Sequence, residues 1–218
     1  MFITVLYQPE PYVKGPTNQI QSESAFITDY LAREIRSKIK LGCGRLNLSY
    51  TDGGYPECTT IRFYGVVEMR MNIPFDKSYF SMTDIEKMNY ICFLVENGMK
   101  EYCSIKGIDY LPVQEALDKL REQNFFVGFN LLKPCRRGDY VAKLYCIHTM
   151  EQTNFFVDIY RKRTFIKRIP FFQSHPEYMV FNLHLGVFEW LDDETVCLHH
   201  KSHSIYGDSR DKVLKLQL

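Results

Sequence analysis

No stretch of the chain approaches the roughly 20 consecutive apolar residues that a membrane-spanning helix needs, so the sequence offers no candidate span. The N-terminal MFITVLYQPEPYVKG has no basic start and only a short apolar run before Pro9, unlike a secretory signal. Neither sign of charge is in excess. The 27 Lys and Arg against 26 Asp and Glu leave a net +1, so no global field draws the chain to nucleic acid or anionic lipid. Tryptophan is nearly missing, with Trp190 standing against sixteen Phe and fifteen Tyr. The seven Cys lack close CxxC pairing, and several fall on predicted apolar faces, as reduced thiols used as small hydrophobes do. A cytoplasmic, soluble protein is therefore expected. Also missing are GxxxxGK[ST], GxGxxG after a strand, HExxH and GxSxG, which removes the commonest nucleotide-binding, metalloprotease and esterase signatures.

What is present is an α+β pattern. Residues 1–8 alternate weakly and end at Pro9 and Pro11, with a turn expected at Gly15-Pro16. Ile27, Leu31, Ile35 and Ile39 recur every four residues and predict a helix opened by Ser22 or Ser24 and closed near Gly42. Leu46, Leu48 and Tyr50 share a strand face. Asp52-Gly53-Gly54 reads as the hairpin turn to a long return strand through Ile61, Phe63, Val67, Met69, Met71 and Ile73, with Gly65 as a bend. A second helix opens at Ser81 or Thr83 with the stripe Ile85, Met88, Cys92, Val95, Met99 and Tyr102, and Gly98 is expected to stop or kink it. A third is capped by Asp109, with Pro112 in its first turn and Val113, Ala116, Leu117 and Leu120 on its face.

From Phe125 onward short apolar and polar alternations predict strands at 125–131, 140–148, 155–161, 165–171, 178–190, 195–200 and 212–216. Their short connections make neighbours antiparallel. The reading is one α+β domain over 1–218, with a β-α-β-β segment at 1–75, a helical segment at 76–124, and an antiparallel meander at 125–218. About three helices pack on the sheet.

Four stretches carry chemistry. Arg161-Lys162-Arg163-Thr164-Phe165-Ile166-Lys167-Arg168 holds five cations among eight residues and follows Phe155, Phe156 and Tyr160. Cations attract phosphates and rings stack on bases, yet the same residues suit an acidic protein or a solvated hairpin tip. Glu189-Trp190-Leu191-Asp192-Asp193-Glu194 sets a lone indole beside carboxylates, either a recognition knob or a strand end that closes the core. Cys197-Leu198-His199-His200-Lys201-Ser202-His203, with Asp208 and Asp211, contains metal-ligand types. Consecutive His199 and His200 face opposite ways on a strand, so a polar strand end is expected there. Cys43, between two glycines after a helix C-terminus, sits where the dipole disfavours a thiolate, and those glycines are expected simply to end the helix.

These readings favour a non-enzymatic binding module of the inhibitor or immunity type. It would grip a protein partner through its sheet by Arg161, Lys162, Arg163, Lys167, Arg168, Trp190, Asp192 and Asp193. No catalytic residue, metal or cofactor, and no membrane, is assigned. RNA or single-stranded DNA binding through 161–168 is the alternative. A hydrolase site assembled only in space from Cys43, His199, His200 and His203 is the third reading.

Overall fold

The computed structural model describes residues 1–10, 14–177, 182–201 and 211–216. It divides into two compact units, Met1–Phe126 and Val127–Leu218. The α+β class holds, with three α-helices and eleven strands among the described residues. None of these helices is long and apolar enough to cross a membrane.

In the first unit β1 (Phe2–Tyr7) leads through α1 (Lys14–Ile35) to β2 (Arg45–Tyr50), which pairs with β1 in parallel. β3 (Thr59–Phe63) and β4 (Val66–Arg70) form an antiparallel hairpin, and β4 pairs with β2 in parallel, giving the order β1-β2-β4-β3. The segment is thus β-α-β-β-β, and the expected hairpin at Asp52-Gly53-Gly54 is corrected. The turn is Tyr64-Gly65, with φ of 45° and 79°, the doubly left-handed form that matches the twist of a two-residue hairpin. Asp52 instead anchors the sheet end. Its carboxylate accepts from the Tyr7 hydroxyl and pairs with Lys77 at 2.9 Å.

Helix α1 starts eight residues ahead of Ser22, because Pro16 fits a first turn whose N–H groups have no partner anyway. It ends at Ile35 instead of near Gly42. Residues Ser24 to Ala32 are buried without interruption, since α1 packs on β1, α2 and α3 together, so a single stripe understates its buried surface. α2 (Asp84–Lys106) opens with the Thr83–Glu86 capping box and closes on Gly107 at φ 62°. It runs through Gly98 without stopping. A Cβ there would lie 2.8 Å from Leu48 Cδ1, so glycine is kept for the close approach of helix to strand. α3 (Leu111–Glu122) has Tyr110 as its cap residue, while Asp109 accepts from the Leu111 N–H at 3.0 Å.

The second unit contains the predicted meander: β5 (Val127–Arg137), β6 (Tyr140–His148), β7 (Thr153–Arg161) and β8 (Thr164–Ser174), all antiparallel. β5 runs past Leu131, where the alternation predicts its end, and continues through Pro134. The register shifts between Leu131 and Cys135 on this outermost strand, and a bulge at an edge is where proline is tolerated. Among the described residues of the expected strand 178–190, only β9 (Phe188–Trp190) is a strand. Asn182–His184 form a 3-10 turn, and 178–181 lie outside the described residues. β10 (Thr195–Leu198) and β11 (Lys212–Lys215) complete a three-stranded sheet, order β11-β10-β9. Leu144, Cys146, Phe155 and Val157 from the meander share one core with Phe188, Val196 and Leu198 from the small sheet.

Burial all round α1 has a titration consequence. Asp29 is buried there, and desolvation pushes its carboxyl up to about 7 against the pull of Arg33. Between the unfolded value near 4 and 7 the unfolded chain sheds this proton and the folded chain keeps it, so stability falls as pH rises through that window. Asp29→Asn is expected to raise stability at pH 8 by roughly 2–4 kcal/mol, with little gain at pH 4, measured by urea denaturation at both values.

Candidate basic face of the meander

Period-two alternation sorts the meander residues into two faces. Ala142, Leu144, Cys146, Phe155, Val157 and Ile159 enter the core. The opposite face is read from cross-strand pairs in three rows. One row is Arg136, Val141, Tyr160, Phe165; the next Lys143, Asp158, Arg168; the third Asn130, Tyr145, Phe156, Pro170. Residues 127–174 contain nine Lys and Arg against three Asp and Glu, so a near-neutral chain carries a basic sheet.

Arg136, Lys143, Lys162 and Arg163 surround a concavity of about 420 Å³ at the turn end of this face, with Tyr160 as its ring-bearing wall. Lys143 Nζ lies 4.1 Å from the centre of the Tyr160 ring. Lys162 pairs with Asp139 at 3.3 Å, and its backbone N–H donates to the Asp139 carbonyl at 3.1 Å, tying the β7–β8 turn to the β5–β6 turn. Among the described residues no carboxylate pairs with Arg136, Lys143 or Arg163.

The turn backbone is unusual. Lys162 and Arg163 have φ of 46° and 76°, so both occupy left-handed positions that Asn and Gly usually fill. At the matching place in the β3–β4 turn the second residue is Gly65. Side chains held in that region cost on the order of 1–3 kcal/mol each, and such strain collects at functional sites.

Of the eight predicted contact residues, Lys162 and Arg163 enter the concavity. Arg161 has the other parity and lies over Tyr140, 5.6 Å from its centroid. Lys167 is half-buried opposite Ile159. Arg168 forms a bidentate pair with Asp158, at 2.7 and 2.8 Å, and its guanidinium sits 3.7 Å from the Tyr145 ring centre. Asp158 is only 2% exposed, so Arg168 compensates a buried charge on the spot. Trp190 pairs with Val196 and packs half-buried against the core of the second unit. Asp192 accepts from the Glu194 N–H at 2.8 Å within the β9–β10 turn, which holds its carboxyl below the ordinary range. Asp193 binds Arg137, which follows Arg136 in the strand and so faces the other way. Neither Arg136 nor Lys143 belongs to the run at 161–168, so the run alone does not lead to them. Their shared parity with Tyr160 is visible only once the register is known.

A second constellation sits on the small sheet. Cys197 and His199 are two residues apart and face the same way, and Asp211 lies opposite His199 beside β11. His199 Nδ1 is 2.7 Å from Asp211 Oδ2 and 3.9 Å from Cys197 Sγ, while Nε2 is 2.9 Å from Glu189 Oε1. Bonds to Glu189 and Asp211 raise the imidazole pKa above its ordinary value, and burial raises that of the Cys197 thiol. His200 turns elsewhere, its ring 5.2 Å from that of His184. His203 and Asp208 lie outside the described residues. Cys43 belongs to the first unit and accepts from the Tyr102 hydroxyl at 3.8 Å.

Two substitutions test what holds the basic face in place. Arg168→Ala strands the Asp158 carboxylate and is expected to cost roughly 2–3 kcal/mol, below the fully buried case because the Arg168 side chain is 35% exposed. Arg163→Gly relieves the left-handed strain and is expected to raise stability by about 1 kcal/mol. Chemical denaturation of both variants checks the two signs. Compared with protein-family models, with curated proteins and with solved structures, the chain has no match, so these residues are what bears on function.

Proposed function

We propose that this protein is a non-enzymatic binding module, of the inhibitor or immunity kind, which takes a carboxylate-rich segment of a protein partner into the basic concavity of the meander. The observation that carries this reading is Arg163. It stands at a strained turn position where glycine would be easier, exposed and without a carboxylate partner among the described residues. Arg136 and Lys143 converge on the same concavity from β5 and β6. Guanidinium groups hold carboxylates through paired charge-assisted hydrogen bonds, and a patch of one sign steers and orients an acidic partner. Tyr160 supplies the rigid aromatic contact that interface centres favour.

Single-stranded nucleic acid is the second reading, favoured by Tyr145, Phe156, Tyr160 and Phe165 on that same face. Bases would stack on those rings. Lys143 and Arg168 already lie over Tyr160 and Tyr145, so a base has to displace a cation, one of them locked to a buried carboxylate. A carboxylate segment needs no such displacement. That difference places the acidic protein first.

The test is the triple variant Arg136→Gln, Lys143→Gln, Arg163→Gln, which removes the charges without setting a new carboxylate opposite Asp158. A partner captured by the wild-type protein and then purified is expected to lose at least 100-fold in affinity to the variant, at unchanged melting temperature, and to weaken with salt. A partner bound equally by both proteins overturns the proposal. Tight binding of mixed-sequence oligonucleotides that the triple variant loses transfers the face to the second reading.

A further inference from the structure

We propose that Cys197, His199 and Asp211 form a binding site for one divalent transition-metal ion, zinc above others, with Glu189 holding the histidine from behind. The donors are Cys197 Sγ, His199 Nδ1 and Asp211 Oδ2, all within 4.8 Å of one another. Zinc takes sulfur at about 2.3 Å and nitrogen or oxygen at about 2.0–2.2 Å, so donors around one ion stand about 3.3–3.7 Å apart. Sγ and Nδ1 are 3.9 Å apart, and Nδ1 and Oδ2 are 2.7 Å apart. Admitting the ion therefore asks Nδ1 and Oδ2 to part by about half an ångström and the donor set, spread within 4.8 Å, to close by up to about an ångström.

The sheet prepares this geometry from three strands. β10 supplies Cys197, and His199 follows directly after its end; β11, paired as Leu198 to Lys212, brings the preceding Asp211 opposite His199; β9, paired as Cys197 to Glu189, brings the second carboxylate. Each ligand is oriented before an ion arrives. Asp211 Oδ1 accepts from the His200 N–H at 2.9 Å, which turns Oδ2 toward the imidazole. Nε2 of His199 is 2.9 Å from Glu189 Oε1 and donates its proton to that carboxylate, while Nδ1–H points at Asp211 Oδ2 at 2.7 Å, so Nδ1 becomes the donor to the metal once that proton leaves. A carboxylate behind a ligating histidine is the usual second support of a zinc site.

The donor set also selects the metal. One thiolate, one imidazole and one carboxylate suit a borderline-soft ion such as Zn²⁺ or Co²⁺, whereas Mg²⁺ and Ca²⁺ prefer oxygen alone. The thiolate and the Asp211 carboxylate cancel the two positive charges. Binding releases the thiol proton and the Nδ1 proton to solvent, and the remaining coordination position goes to water.

Cobalt(II) added to the metal-free, reduced protein is the probe, because a sulfur-to-cobalt charge-transfer band reports thiolate ligation. The wild-type chain is expected to take up one ion and show the band. Cys197→Ser should abolish the band and weaken zinc binding at least 100-fold by calorimetry, and Asp211→Asn, at a half-exposed site that folding tolerates, should weaken zinc similarly. Glu189→Gln should retain the band and lose 10–100-fold in affinity. Cys43→Ser and Cys58→Ser, the other thiols outside the core of the first unit, should change nothing. A wild-type protein that takes up no cobalt, or a band that survives Cys197→Ser, overturns the site, and a Glu189→Gln variant that binds as tightly as wild type refutes the role given to Glu189.

Discussion

A strand shows each side chain to one face only, and the chemistry of the second unit follows from that constraint. Pairing of β6 with β7 from Tyr140–Arg161 to His148–Thr153 without a shift fixes which residues fill the core and which meet solvent. A slip of one residue would exchange Leu144 and Val157 for Lys143 and Asp158. The Asp158–Arg168 pair guards against that slip, because a carboxylate 2% exposed is tolerable only where its guanidinium stands across from it. Register thus comes first, and the basic rows are its by-product.

Legibility in the sequence tracked the range of the forces involved. The helix stripes of α2 and α3 and the alternation of β6 and β7 are local, and their elements fall where the periodicity placed them. Features set by distant neighbours did not read through. Gly98 looked like a helix breaker because Leu48, which fills the space its missing side chain leaves, comes fifty residues earlier. Asp52-Gly53-Gly54 reads locally as a hairpin and Gly65 as a bend, while the parallel pairing of β2 with β4 and the antiparallel pairing of β3 with β4 put the hairpin at Tyr64-Gly65. The candidate sites divide the same way. Lys162 and Arg163 were legible as a run, but Arg136 and Lys143 join them only through register. The Cys197-x-His199 spacing is local and puts both side chains on one strand face, but Asp211 enters only through β11.

The two constellations of the second unit use charge in opposite ways. On the meander, cations converge and Arg136, Lys143 and Arg163 form no ion pair among the described residues, which suits capture of an anion from outside. On the small sheet, two carboxylates converge on one imidazole beside a thiol 1% exposed, which suits holding a cation within. Their difference is a matter of which partner the sheet already supplies.

The parallel pairing of β1 with β2 also bears on how the chain assembles. Phe2 meets Arg45 only after the whole of α1 has been laid down, whereas Arg161 and Thr164 meet across two residues. Closing long loops before any contact rewards them slows assembly, so the meander has the quicker route to its native pairing and the amino-terminal sheet the slower one. A nascent chain accordingly exposes the apolar strands of its first half for longest, and it is there that a chaperone would find its grip.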